Sequence, residues 1–305
     1  MTDEAIHDES MPEPTPKAIR RFMPRITRRR VLKTFAAGVV ASFGTYGWAT
    51  TIEPHWVEIV ERPLPLAGLP KSLAGKRLIQ VSDLHVGETE IDYLVKAFRS
   101  IGEIRPDMIA ITGDFVDRDY AAVQTDLAQV FAALPAAPLG AFACLGNHDY
   151  RSGHAWRNLG LADRVTATAA AAGVRVLRDE HVDVEGLSIV GLDDLWSPRF
   201  EGSRSLDRLD HSRDALCLAH NPDTCDFGIW GTFRGTTLSG HTHGGQCKPP
   251  FLPPPLLPVR NRRYIAGPYD ITPTRRLYVN RGIGHTLKAR FNCRPEITAF
   301  TLIRT

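Results

Sequence analysis

The sequence predicts an α/β (α+β) fold in which two mixed β-sheets pack face to face and are flanked by helices. Three observations predict it. Between residues 76 and 173, apolar strand-like runs alternate with helix-period segments in a βαβαβ grammar. After Gly173 the elements become short and close-set, which favours mixed or antiparallel pairing. Five apolar runs, moreover, each end in Asp, His or Asn, so reactive side chains leave one sheet edge together.

Taken in order, Lys76 to Ser82 reads as a strand and Met108 to Thr112 as another. Between them Ile91 to Glu103 is a helix, with Ile91, Leu94, Val95, Phe98 and Ile101 at helical spacing. Val123 to Ala133 is a helix ended by Pro135, Gly140 to Leu145 a strand, and Leu161 to Gly173 an alanine-rich helix with a glycine stop. The later strands cover 175–177, 182–184, 187–192, 215–219, 235–239, 276–280 and 296–303.

Composition bounds the organisation and names no activity. The chain of 305 residues is 43% hydrophobic and 23% charged, ordinary for a soluble globular protein. Net charge is only +3, and much of the excess sits in Arg20, Arg21, Arg25, Arg28, Arg29 and Arg30, so a basic footprint for nucleic acid is absent. Residues 1–26, rich in Asp, Glu, Pro and Thr, read as a disordered extension. Residues 27–49 carry Thr27-Arg28-Arg29-Arg30-Val31-Leu32-Lys33 and then a short, weakly apolar run, the pattern of a secretory signal. Its paired arginines resemble a twin-arginine signal, which implies the Tat translocase as a partner. The location implied is the periplasm or the outer side of the inner membrane. Small residues at Gly47 and Ala49 suit cleavage after Ala49, and an uncleaved anchor is the alternative. Residues 50–75 read as a lead-in, and 76–305 as one domain large enough for a substantial core. The cysteines, Cys144, Cys217, Cys225, Cys247 and Cys293, are odd in number and lack a Cys-x-x-Cys pair, so no disulfide framework is implied.

The chemistry is carried by the ends of the apolar runs. Leu145-Gly146-Asn147-His148-Asp149 leaves a strand and presents an amide, an imidazole and a carboxylate in succession. Alone the tetrapeptide also suits a surface turn. Its company decides: Ser82-Asp83-Leu84-His85, Gly113-Asp114 with Asp117, His220-Asn221, and Gly240-His241-Thr242-His243 follow other apolar runs. Residues i and i+2 of an extended segment face the same way, so Asp83 and His85 can bind one ion, and His241 and His243 can converge similarly. Carboxylates, imidazoles and the neutral oxygen of Asn147 are the mixture a pair of catalytic divalent ions requires.

In their order these blocks resemble the calcineurin-like metallophosphoesterase superfamily across residues 76–303. Gly244-Gly245-Gln246 and Arg290-Phe291-Asn292-Cys293-Arg294-Pro295 resemble its YkuE/YaeI-type phosphodiesterase branch more particularly. The resemblance implies a metallophosphoesterase fold, and one divalent ion held by Asp83, His85, Asp114 and His243. A second would be held by Asp114, Asn147, His220 and His241, with Mn, Fe and Zn all compatible. It implies a bridging hydroxide that attacks phosphorus, His148 over the substrate phosphate, Asp149 orienting His148, and Asp117 bracing the loop. The segment from Lys248 to Arg263 follows the His241/His243 loop and reads as a stiff, apolar and basic rim including Phe251 and Arg260, with His154 as a further rim residue. Such a rim suits a phospholipid or another lipid-linked phosphate at a membrane surface. The alternatives are a UDP-sugar-lipid pyrophosphate hydrolase, a phosphomonoesterase, or a non-catalytic metal-stabilised binding protein.

Overall fold

The computed structural model describes residues 27–151 and 157–305. The expected disordered extension, 1–26, and His154 lie outside the described residues. Helix α1 (Arg28–Gly47) has none of its residues buried. No helix among the described residues is long and apolar enough to cross a membrane.

The remainder holds two six-stranded sheets. The first has the order β1 (Glu58–Leu66), β12 (Glu296–Arg304), β2 (Arg77–Val81), β3 (Met108–Thr112), β4 (Ala141–Cys144) and β5 (Val174–Val176). From β2 to β5 all neighbours are parallel, while β12 runs antiparallel to β2. The second has the order β10 (Gly267–Thr272), β11 (Arg275–Val279), β9 (Gly235–Ser239), β8 (Ala215–Leu218), β7 (Leu187–Gly191) and β6 (Glu180–Val184). There the four inner strands are parallel and the edge strands β6 and β10 are antiparallel to their neighbours. The predicted pair of mixed sheets is what forms.

Burial alternates along the strands and fixes the layers. Leu78, Met108, Ala110, Phe142, Leu216, Leu218 and Leu238 form one core. Ile79, Val81, Ile109 and Ile111 belong instead to a cluster with Leu94 and Phe98 of α2 (Ile91–Ile104), Leu127 of α3 (Val123–Phe131) and Leu161 of α4 (Leu159–Ala171). Neighbours in sequence point to opposite faces, and both faces are covered, which is why these strands read as continuous apolar runs.

Two strands escaped the sequence reading, both at sheet edges. The segment 50–75 is more than a lead-in, because Glu58–Leu66 pairs in parallel with β12 over its whole length. Pro63 and Pro65 hid it, since proline removes a ladder donor and is tolerated only on an edge. β10 is likewise an edge strand, and it begins Gly267-Pro268. A short helix, α5 (Gly202–Leu206), was also unforeseen.

Candidate metal centre

The C-terminal ends of the parallel strands β2, β3, β4, β8 and β9 carry Asp83 and His85, Asp114, Asn147, His220, and His241 and His243, where open α/β sheets place their ligands. Main-chain bonds continue the ladders into these loops: Asp83 N donates to Gly113 O (3.0 Å), His85 N to Asp114 O (3.0 Å) and Gly240 N to His220 O (3.0 Å). Beneath them Gln80 Nε2 donates to Thr112 Oγ1 (3.1 Å) and Ser239 O (3.0 Å), tying the two sheets together.

Asp83, His85, Asp114, His241 and His243 all have positive φ, between 48° and 70°. Non-glycine residues are costly in this region and collect at functional sites, because packing must hold them there. Two glycines permit the crowding. A β-carbon on Gly146 would lie 2.2 Å from Asp114 Oδ1, and one on Gly240 would lie 2.3 Å from Asp83 Oδ2.

Among the described residues the side chains gather into three groups able to hold a cation: Asp83, His85 and His243; Asp114, His220 and His241; and, sharing His85 with the first, His85, Asp117 and His148. In the first, His243 Nε2 lies 3.3 Å from Asp83 Oδ1 and 3.1 Å from His85 Nε2. In the second, His220 Nε2 lies 3.1 Å from Asp114 Oδ2 and 3.1 Å from His241 Nδ1. Asp114 Oδ2 is also 3.5 Å from His85 Nε2, so one carboxylate oxygen faces both groups. The other oxygen accepts from His148 N at 2.8 Å.

Backbone carbonyls settle which nitrogen each ring presents. His220 Nδ1 donates to Thr112 O (2.7 Å) and His241 Nε2 to Pro258 O (2.8 Å), so His220 Nε2 and His241 Nδ1 are the nitrogens turned toward each other, with His220 Nε2 beside Asp114. A positive charge belongs between them: a cation where one is bound, and otherwise a proton on His220. Burial works against a proton on His220, but Asp114 outweighs it and lifts the pKa to about 10. Burial, reinforced by His220, pushes His241 down to about 3. Despite its own burial, Asp114 is held well below the usual carboxylate range by His220 and then His148. Asn147 is buried, and its Oδ1 has no hydrogen-bond partner. Convergent imidazoles, an ionised carboxylate and an orphaned amide oxygen are the donor set of a divalent cation, so the residues fit one.

His148 and Asp149 correct one expectation. Asp149 does not orient His148: its Oδ1 accepts from Phe115 N (2.9 Å) and Val116 N (3.2 Å), and its Oδ2 from Gly146 N (2.8 Å). It braces the Asp114 and Asn147 loops. Asp117, expected to brace a loop, takes His148 Nδ1 on its carbonyl (2.8 Å) and beside its carboxylate (3.2 Å), and the same carboxylate lies 3.6 Å from His85 Nδ1. Burial opposes charge on His148, yet Asp114 and then Asp117 raise it to about 8.

The rim is only partly where sequence placed it. Leu256, Leu257 and Pro258 line a cavity of about 350 Å³ shared with Thr242 and His243, so this part of the segment borders the site. Phe251 is fully exposed and lines a different cavity with Trp48 and Arg294. Arg260 is exposed, and its N donates to Asp223 (2.6 Å). Sequence reasoning passed over Trp196, whose ring stands edge to face with His241 at 5.5 Å, because an isolated loop aromatic carries no periodic signal.

The chain is similar to known proteins over most of its length. The chain is 33% identical to an uncharacterized metallophosphoesterase, YkuE, of Bacillus subtilis (strain 168), over 93% of this chain and all of the relative. It is 31% identical to phosphodiesterase YaeI of Escherichia coli (strain K12), over 91% of this chain and all of that one. It is 27% identical to UDP-2,3-diacylglucosamine pyrophosphatase LpxG of Chlamydia muridarum (strain MoPn / Nigg), over 87% of this chain and 94% of that one. Residues 76–245, which contain all three side-chain groups, match the calcineurin-like phosphoesterase family, and with it the hydrolases of phosphoric ester bonds; the chain belongs to that family.

Proposed function

We propose that the chain is a phosphodiesterase whose first two side-chain groups each hold a divalent cation, with Asp114 shared between them. The observation that carries this reading is Asp114 Oδ2, placed 3.1 Å from His220 and 3.5 Å from His85. Asp83, His85 and His243 would hold one cation, and Asn147, His220 and His241 the other. Bound there, divalent cations supply Lewis-acid polarisation of a phosphoryl group and activation of water.

The chain's own residues do the rest. Asp117 fixes the His148 ring through Nδ1, which directs Nε2 away from the loop. Held in place by Asp117, His148 donates the Nε2 proton to the departing alkoxide while a water oxygen replaces that alkoxide on phosphorus. Asp149 keeps the Asp114 and Asn147 loops in register through three main-chain bonds.

An amphiphilic substrate at a membrane surface is the substrate class we infer, supported by the apolar cavity beside His243 and by Leu252 (62%) and Leu256 (75%) exposed on the same segment. Two relatives of that chemistry, both pyrophosphatases named LpxG, favour a lipid-linked pyrophosphate as the second reading. Export through the Tat pathway to the periplasmic side rests on the arginine triplet that opens α1, and Arg28→Lys with Arg29→Lys should hold the protein in the cytoplasm.

Hydrolysis of bis-p-nitrophenyl phosphate against p-nitrophenyl phosphate by the manganese-reconstituted full chain tests the reaction. Diester preference that Asn147→Ala abolishes is the expected result. Monoester preference makes it a phosphatase, and no hydrolysis with cations bound leaves the pyrophosphate reading or a binding protein.

A further inference from the structure

We infer that Trp196 is a specificity-determining residue: a fixed stacking wall for a flat ester group of the substrate on the His220/His241 side of the centre. The inference rests on the phosphodiesterase reading and adds which chemical group the site prefers. Trp196 lies in the segment 192–197 that follows β7, where Leu192 N still donates to Leu218 O of β8 (2.9 Å). Two buried carboxylates beside it hold the segment, although Asp194 Oδ2 is left without a hydrogen-bond partner. Asp194, 1% exposed, accepts from Trp196 N (2.8 Å), and its main-chain O accepts from Ser197 N (2.8 Å). Asp193, 3% exposed, accepts from Tyr150 OH and from Ser197 Oγ (3.2 Å). Tyr150 ends the short turn that begins at Asn147 and contains His148. The segment is therefore wired to the same turn that presents the site.

Trp196 itself remains 44% exposed, with its ring perpendicular (89°) to His241 and centroids 5.5 Å apart. His241 is in turn fixed by Pro258 O, which belongs to the segment lining the apolar cavity. Single exposed apolar residues are common and need no explanation. One whose main chain is held by a buried carboxylate, with its ring edge to face with a candidate metal ligand, is different, because a wall already placed costs a ligand little ordering entropy. Aromatic pairing of this kind changes affinity by about two- to tenfold.

Titration of the manganese-loaded full chain with phenylphosphonate and methylphosphonate tests this without turnover. The phenyl compound should bind about two- to tenfold more tightly. Trp196→Ala should erase that preference with bound manganese unchanged, and Trp196→Phe should retain most of it. The inference is overturned if wild type shows no preference, if Trp196→Ala keeps it, or if Trp196→Ala weakens both phosphonates equally and loses manganese, which would make the side chain a support for His241. Failure of wild-type diester hydrolysis is a separate result and sinks the phosphodiesterase reading instead.

Discussion

Asp83, His85 and His243 are all held at positive φ, and neither His85 Nδ1 nor His243 Nδ1 has a hydrogen-bond partner. In the neighbouring group Asp114 and His241 share that backbone strain, but His220 does not, and both rings are pinned from behind by Thr112 O and Pro258 O. One group is shaped mainly by strained backbone, the other mainly by carbonyls that fix its tautomers. Strain of about 1 kcal/mol or more per residue must be met by surrounding packing, whereas a carbonyl-fixed imidazole is ready for its cation. The carbonyl-fixed group should therefore hold its ion more tightly, and the shared Asp114 should make each group depend on the other.

The largest effect should come from the shared residue. Asp114→Ala is expected to strip both cations and lower kcat/KM for a diester by about 10³-fold or more, read by metal analysis and kinetics. Retention of one full equivalent would separate the two groups. Next, Gly240→Ala places a β-carbon 1.9 Å from Ser82 Oγ and 2.3 Å from Asp83 Oδ2. It should release the first group's cation alone, with a stability loss of about 1–3 kcal/mol from overpacking, seen as one remaining equivalent and a lowered denaturant midpoint. Asp117→Asn should cost about 10- to 100-fold in kcat, because it perturbs the partner of His148 and the carboxylate 3.6 Å from His85 Nδ1, and a metal count should show the cation of Asp83, His85 and His243 weakened rather than lost. Smallest is the order of loss on stepwise chelation of wild type. The ion of Asp83, His85 and His243 should leave first, and simultaneous loss would show that the two constructions do not differ in affinity.

Much of this was legible in the sequence, for identifiable reasons. Strands covered on both faces, such as Met108–Thr112 and Ala215–Leu218, are largely apolar runs, and the polar residues that follow each run are where the site begins. Glu58–Leu66 was invisible because Pro63 and Pro65 contradict a central strand, although they suit an edge. Positive φ at Asp83, His85 and His243 leaves no mark on residue type, since tertiary packing imposes it. The exchange of roles between Asp117 and Asp149 was unreadable for a related reason. Each is a carboxylate close to His148 in chain or space, and only the fold decides which one faces the ring and which faces main-chain amides. The Thr112 and Pro258 carbonyls belong to every sequence equally, so nothing in the letters singles them out.

The central claim is that two cations sit together across Asp114. Electron paramagnetic resonance of the full chain loaded with manganese tests it most directly, alongside a metal count. The account predicts two equivalents per chain and the spectrum of an exchange-coupled pair, collapsing to an isolated ion in Gly240→Ala. A single equivalent, or two ions with the spectrum of uncoupled manganese, would contradict it.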